Sequence, residues 1–120
     1  LIVVTHNLGL VTRHTRRIYV MYAGKIIESG TTEELITRPR HPYTIGLLNS
    51  VPKLEQEKGS RLVPIEGAPP SLIGLPDACA FLPRCPYACD KCRSSPYPAL
   101  RRTEGEEHCV ACHLDLEGRI

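Results

Sequence analysis

The sequence has no tryptophan, one phenylalanine and one methionine. Aromatic residues make up 5% of its 120 positions, so an aliphatic core is expected. Net charge is also scarce. Fifteen basic side chains against 13 acidic ones leave a formal +2, too little to argue for nucleic-acid binding by itself. No apolar run approaches the roughly 18–20 residues that cross a bilayer, and no signal peptide is present. Cysteine is absent before position 79. The first residue is not Met, and the apolar run Leu1–Val4 starts without a polar lead-in. That opening reads as internal sequence, the C-terminal part of a longer protein.

Proline and glycine are plentiful, with 11 and nine residues. The prolines concentrate after residue 38, so that half is expected to be rich in turns. Before it the signals are ordinary α+β. Leu1-Ile2-Val3-Val4-Thr5 is continuous and β-branched, as in a strand buried on both faces. Asn7 is placed to cap a helix over roughly residues 8–15, with Leu8, Leu10 and Val11 on its apolar face. Arg17–Tyr22 alternates as a strand, with Ile18, Val20 and Tyr22 on one face. Ala23-Gly24 turns it into a return strand, Lys25–Glu28, that Ser29-Gly30 ends. Thr31 and Glu34 form a capping box for a short helix to about Thr37. Pro42 suits the first turn of another helix, through Leu47, Leu48 and Val51. Residues 52–60 read as a charged, solvated linker. Arg61–Ile65 is a possible short strand, and Ala68–Leu72 and Leu75-Pro76 are expected to be extended.

All six cysteines, Cys79, Cys85, Cys89, Cys92, Cys109 and Cys112, fall in one late stretch. So many thiols in so short a span imply bonding to one another, to zinc or to an iron–sulfur cluster. The absence of a signal peptide speaks against disulfides. Spacing alone favours zinc. Cys89-x2-Cys92, 16 residues, then Cys109-x2-Cys112 fits a paired-knuckle site, with His108 and His113 as spare nitrogen ligands.

Several motifs together resemble a known family. Thr5-His6-Asn7 after an apolar run, the hairpin Val20–Gly30 and the Thr32–Leu35 helix are similar to the end of an ABC transporter ATPase domain. Arg38-Pro39-Arg40-His41-Pro42-Tyr43-Thr44, Gly67–Leu72, Cys79-Ala80-Phe81, Arg84-Cys85-Pro86-Tyr87-Ala88 and Val110–His113 resemble the C-terminal region of the ATP-binding subunits of dipeptide and oligopeptide importers. The resemblance covers nearly the whole chain. It divides it into residues 1–38, the end of the nucleotide-binding domain, and residues 39–120, the cysteine-containing C-terminal region. The phosphate loop, signature motif and Walker B carboxylates are absent from these residues, so this stretch alone is expected to be inactive. Asn7 stands where the family usually has Asp.

The resemblance implies that His6 is the switch histidine that approaches the γ-phosphate of ATP, with ATP and magnesium held by the full-length parent. It also implies that Cys79, Cys85, Cys92 and Cys112 hold a [4Fe–4S] cluster. Cys89 and Cys109 are additional to that set. The implied partners are a second ATPase subunit, transmembrane permeases and, indirectly, a peptide-binding protein, with the subunit peripheral on the cytoplasmic face of the membrane. The alternative is a zinc-ribbon module that binds nucleic acid or protein. Arg93, Arg101 and Arg102 offer it some basic surface, but Glu104, Glu106 and Glu107 follow at once. A third reading is a truncated product without activity, whose unpaired strand edges promote association.

Overall fold

The computed structural model describes residues 2–50, 65–103 and 107–114. It is a small α+β unit. The helices are α1 (Leu8–His14), α2 (Thr32–Thr37), α3 (Pro42–Asn49) and α4 (Asp90–Ser94), and a 3₁₀ turn spans Leu82–Arg84. The strands are β1 (Arg17–Tyr22), β2 (Lys25–Thr31), β3 (Arg101–Arg102) and β4 (Cys109–Val110), joined in one antiparallel sheet of order β1-β2-β4-β3.

Strand β1 buries alternate residues, Ile18, Val20 and Tyr22, as a period of two requires. The turn to β2 puts both Ala23 (φ 50°) and Gly24 (φ 80°) in the left-handed region, the conformation that matches the twist of a two-residue hairpin. Strand β2 does not stop at Ser29-Gly30 but continues to Thr31. The reason is tertiary. Glu28 and Ser29 pair with Val110 and Cys109 of β4, and Ala111 N donates to Ile27 O at 2.8 Å. With a neighbour on each edge, β2 becomes the centre of the sheet, and Ile27 through Gly30 are all buried.

The capping box of α2 forms as its sequence predicts. Thr31 Oγ1 accepts from Glu34 N at 3.2 Å and Glu34 Oε2 accepts from Thr31 N at 2.8 Å. Asn7 caps α1 through its side-chain oxygen, which accepts from Leu10 N. Leu8 and Val11 of α1 face the core, while Leu10 is exposed.

Two expectations are corrected. The buried strand expected at Leu1–Thr5 is not found in its described part: residues 2–5 have no regular structure, with Ile2 91% and Val4 94% exposed. A strand buried on both faces needs sheet partners, and no described strand pairs with this run. Nor is the core purely aliphatic. Around Ile18, Val20, Ile27 and Leu35 it contains Tyr22 and Phe81, and Tyr43 packs on both, with ring centroids 4.7 Å from Tyr22 and 5.5 Å from Phe81. Three of the six aromatic rings therefore meet at the junction of hairpin, α3 and cysteine stretch. The linker at 52–60 and most of the strand at 61–65 lie outside the described residues, as does Val51; Ile65 is coil. Residues 68–72 and 75–76 contain no helix, as expected.

Candidate functional site

The site is built on a buried polar frame. Glu28 lies in the central strand and is fully buried, as is His108. One carboxylate oxygen accepts from Arg40 N at 2.7 Å and the other from His41 N at 2.9 Å. His108 Nε2 meets the first oxygen at 2.5 Å. Both carboxylate oxygens already accept a backbone N–H, and a ring N–H opposite the first one completes the set. Thr103 holds the other end: its N–H and its hydroxyl both donate to His108 O, at 2.8 and 2.9 Å. One carboxylate thus joins the hairpin, the start of α3 and the segment before β4.

His41 caps α3 by accepting from Tyr43 N at Nδ1, 3.0 Å away. Its ring lies against Phe81, with centroids 5.8 Å apart. Burial lowers its pKa from 6.5 to about 4, with nearby Glu28 opposing the shift. The imidazole is therefore neutral at physiological pH, as its acceptor role demands.

Beside His41 lies a cavity lined by Cys79, Cys85, Cys92 and Cys112, together with Phe81 and Leu82. These thiols come from three places: the turn before and after Leu82–Arg84, helix α4, and the residues after β4. Three of them receive a backbone N–H from two positions ahead: Phe81 for Cys79, Tyr87 for Cys85, and Leu114 for Cys112, the last at 3.4 Å. Such donors favour the thiolate, but burial outweighs them. It raises the pKa of Cys79 and Cys85, and pushes that of Cys112 up to about 11. An apolar wall and four sulfurs suit a soft metal group, which would take the thiols in deprotonated form.

The geometry sets limits on that group. A single zinc ion holds its sulfurs at about 2.3 Å, drawing the ligands tightly together. Cys89 and Cys92 approach that closely, with sulfurs 3.6 Å apart. Among the described residues, however, no three His, Cys, Asp or Glu side chains gather round one point. A four-iron cluster spreads its thiolates over separate corners and tolerates wider spacing. The cavity is narrow at about 20 Å³, the room of one water. A cluster therefore fits its donors but not its present width.

The two spare histidines are occupied. His108 is committed to Glu28, and His113 Nε2 donates to Pro96 O at 2.9 Å. Cys89 and Cys109 are absent from the cavity lining. His6 is exposed in the bend before α1, far along the chain from the thiols and separate from their cavity. The basic surface near the knuckles is partly neutralised: Arg93 pairs with Asp90 at 3.2 Å.

The Glu28–His108 clamp had no local sequence signal, because its two residues lie 80 positions apart. A second, larger cavity of about 260 Å³ lies between the hairpin turn and Leu75–Ala78. Its two charged side chains already have partners. Lys25 Nζ sits 3.9 Å from the Tyr97 ring centre, and Asp77 accepts from Tyr97 N at 3.1 Å.

Residues 27–92 match the family model described as the oligopeptide/dipeptide transporter C-terminal region. The chain is 46% identical over 111 residues to an oligopeptide transport ATP-binding protein OppD of Mycobacterium bovis, covering 92% of this chain and 18% of that protein. It is 45% identical over 96 residues to the OppD of Salmonella typhimurium, covering 80% of this chain and 28% of the relative. It is 41% identical over 119 residues to the dipeptide transport ATP-binding protein DppD of Caldanaerobacter subterraneus, covering 99% of this chain and 36% of the relative. The chain thus spans between about a fifth and about a third of the length of these curated relatives. The matched segment runs from the central strand through the His41 cap to Cys92, and the chain belongs to the oligopeptide/dipeptide transporter C-terminal region family.

Proposed function

We propose that these residues are the C-terminal part of the ATP-hydrolysing subunit that energises import of dipeptides or oligopeptides through a membrane ABC transporter. The observation that carries this reading is the family match at residues 27–92, supported by relatives named as ATP-binding proteins of peptide transport. On this reading residues 1–38 close the nucleotide-binding domain and residues 39–120 form the cysteine-containing region. The parent binds ATP and magnesium and works with a second ATPase subunit, permeases and a peptide-binding protein. It sits peripherally on the cytoplasmic face of the membrane. No helix of the described residues is long and apolar enough to cross a bilayer, which is compatible with a peripheral place.

His6 acts as the switch histidine at the γ-phosphate. Its exposure before α1, with Asn7 holding the helix start, leaves the imidazole accessible to a nucleotide bound elsewhere in the assembly. His6→Ala in the full-length subunit abolishes peptide-stimulated ATP hydrolysis; unchanged stimulated hydrolysis overturns the assignment.

Cys79, Cys85, Cys92 and Cys112 hold a [4Fe–4S] cluster on this reading, and their shared cavity with N–H donors to sulfur supports it. The bound group supplies thiolate bonds that tie three separate segments together. Zinc at Cys89, Cys92, Cys109 and Cys112 is the second reading, favoured by the close approach of Cys89 and Cys92. Anaerobic purification separates them. A brown protein with about four irons and matching sulfide per chain supports the cluster, and a colourless protein with zinc alone overturns it.

A further inference from the structure

Cys89 and Cys92 stand apart from the other thiols in one respect: their sulfurs are already 3.6 Å apart. A disulfide needs about 2.05 Å, a closing movement within the reach of side-chain rotation. Cys89 precedes α4 in extended backbone (φ −133°, ψ 176°), and Cys92 lies in the helix. Their exposures differ. Cys89 is partly exposed and outside the cavity lining, while Cys92 is buried within it. An entering reagent therefore meets Cys89 first, and Cys92 is next to it as the second thiol.

We propose that Cys89 and Cys92 form a reversible disulfide, with Cys89 as the entry thiol and Cys92 as the resolving thiol. The oxidant is a low-molecular-weight disulfide. The Cys89 thiolate attacks one of its sulfurs, the S–S bond breaks, and one thiolate leaves and takes up the proton lost by Cys89. The Cys92 thiolate then attacks the Cys89 sulfur of the mixed disulfide. A second small thiolate leaves and takes up the proton lost by Cys92. Two cysteine thiols are oxidised by two electrons and one small disulfide is reduced to two thiols. The reverse exchange with excess thiol restores the pair, as a reducing compartment requires of any disulfide that forms there.

The consequence follows from Cys92 lying in both sets. A sulfur held in this disulfide is unavailable to the cavity, so oxidation removes one of its four thiols. This consequence rests on the cluster reading above; formation of the disulfide does not.

The test uses the full-length subunit, purified anaerobically, before and after iron chelation, with oxidised glutathione as probe. Free thiols are trapped by alkylation and located by mass spectrometry. Tryptic cleavage after Arg84, Lys91 and Arg93 puts Cys89 and Cys92 on separate peptides. The expected result in the chelated protein is loss of alkylation at Cys92, a linked peptide pair, and recovery with dithiothreitol. In Cys89→Ser, Cys92 stays alkylatable. A linked pair that persists in Cys89→Ser, or Cys89 and Cys92 both remaining alkylatable in the oxidised wild type, overturns the proposal. Iron measured on the same sample keeps the two readings apart. An iron-free preparation that forms the bond sinks only the cluster reading, and an iron-loaded one that forms none after chelation sinks only the disulfide.

Discussion

At the scale of single residues, burial fixes the chemistry of His41. Its pKa of about 4 in the fold lies below the ordinary 6.5, so between those values the unfolded chain binds more protons than the folded one. Stability is then lost as pH falls from about 6.5 toward 4, by an amount on the order of 3 kcal/mol. Protonation also removes the Nδ1 acceptor that caps α3. The groups around it are Glu28, Tyr43 and Phe81, and Glu28 moderates the shift. Urea unfolding measured between pH 7 and 4.5 is expected to show this slope. His41→Asn keeps a capping side chain without a titratable ring and flattens its share; an unchanged slope in that variant refutes the account.

Glu28 is the other decisive residue. Glu28→Ala leaves Arg40 N, His41 N and His108 Nε2 without their acceptor in a dry interior. The expected cost is roughly 3–5 kcal/mol, read from chemical denaturation. Because His108 shares the interaction, Glu28→Ala and His108→Ala should be strongly non-additive. Additive losses would mean that the two side chains stabilise the fold independently.

At the scale of elements, local rules predict well where a motif closes within a few residues. Thr31→Ala removes the acceptor for Glu34 N and leaves the other half of the box intact. It is expected to cost about 1 kcal/mol, whereas Thr31→Ser retains most of the stability. Equal losses in the two variants would show that the methyl group, not the hydroxyl, matters. A second element constraint follows from Gly30. A Cβ there would lie 2.8 Å from Leu35 Cδ1 and 3.0 Å from Glu34 Oε2. A side chain there would therefore press on the tips of Leu35 and Glu34 and shift them, so glycine lets α2 lie close to β2 without that adjustment. The hairpin, both helix caps at Asn7 and Thr31, and Pro42 at the first turn of α3 were all legible from residue type and spacing. Residues 2–5 form no strand despite their β-branched run, because a strand is completed by partners that its own residues do not contain.

At the scale of the whole molecule, the C-terminal segment is integral to the sheet. Strand β4 covers the edge of β2, and Phe81 enters the core beside Tyr22 and Tyr43. The cavity among the four thiols is narrower than a four-iron group. On the proposed cluster reading, loading should therefore alter residues 79–92 and 107–114 and leave the hairpin nearly unchanged. Hydrogen exchange on iron-loaded and chelated full-length protein checks this. Protection that rises around the cysteines while β1 and β2 stay constant is the expected pattern. Identical exchange in the two forms counts against a structural role for the proposed cluster.

The sequence by itself determined the short-range features: strand alternation, the capping box, the proline-initiated helix and the crowding of thiols after residue 79. Each depends on contacts between residues near one another in the chain, so residue type and spacing suffice. Only the tertiary structure decided the rest. It made β2 a central strand, buried Glu28 against His108 across 80 positions, brought Tyr22, Tyr43 and Phe81 together, and placed Cys79, Cys85, Cys92 and Cys112 around one cavity. Those contacts join distant parts of the chain, and their energy comes from burial and pairing that no local window contains.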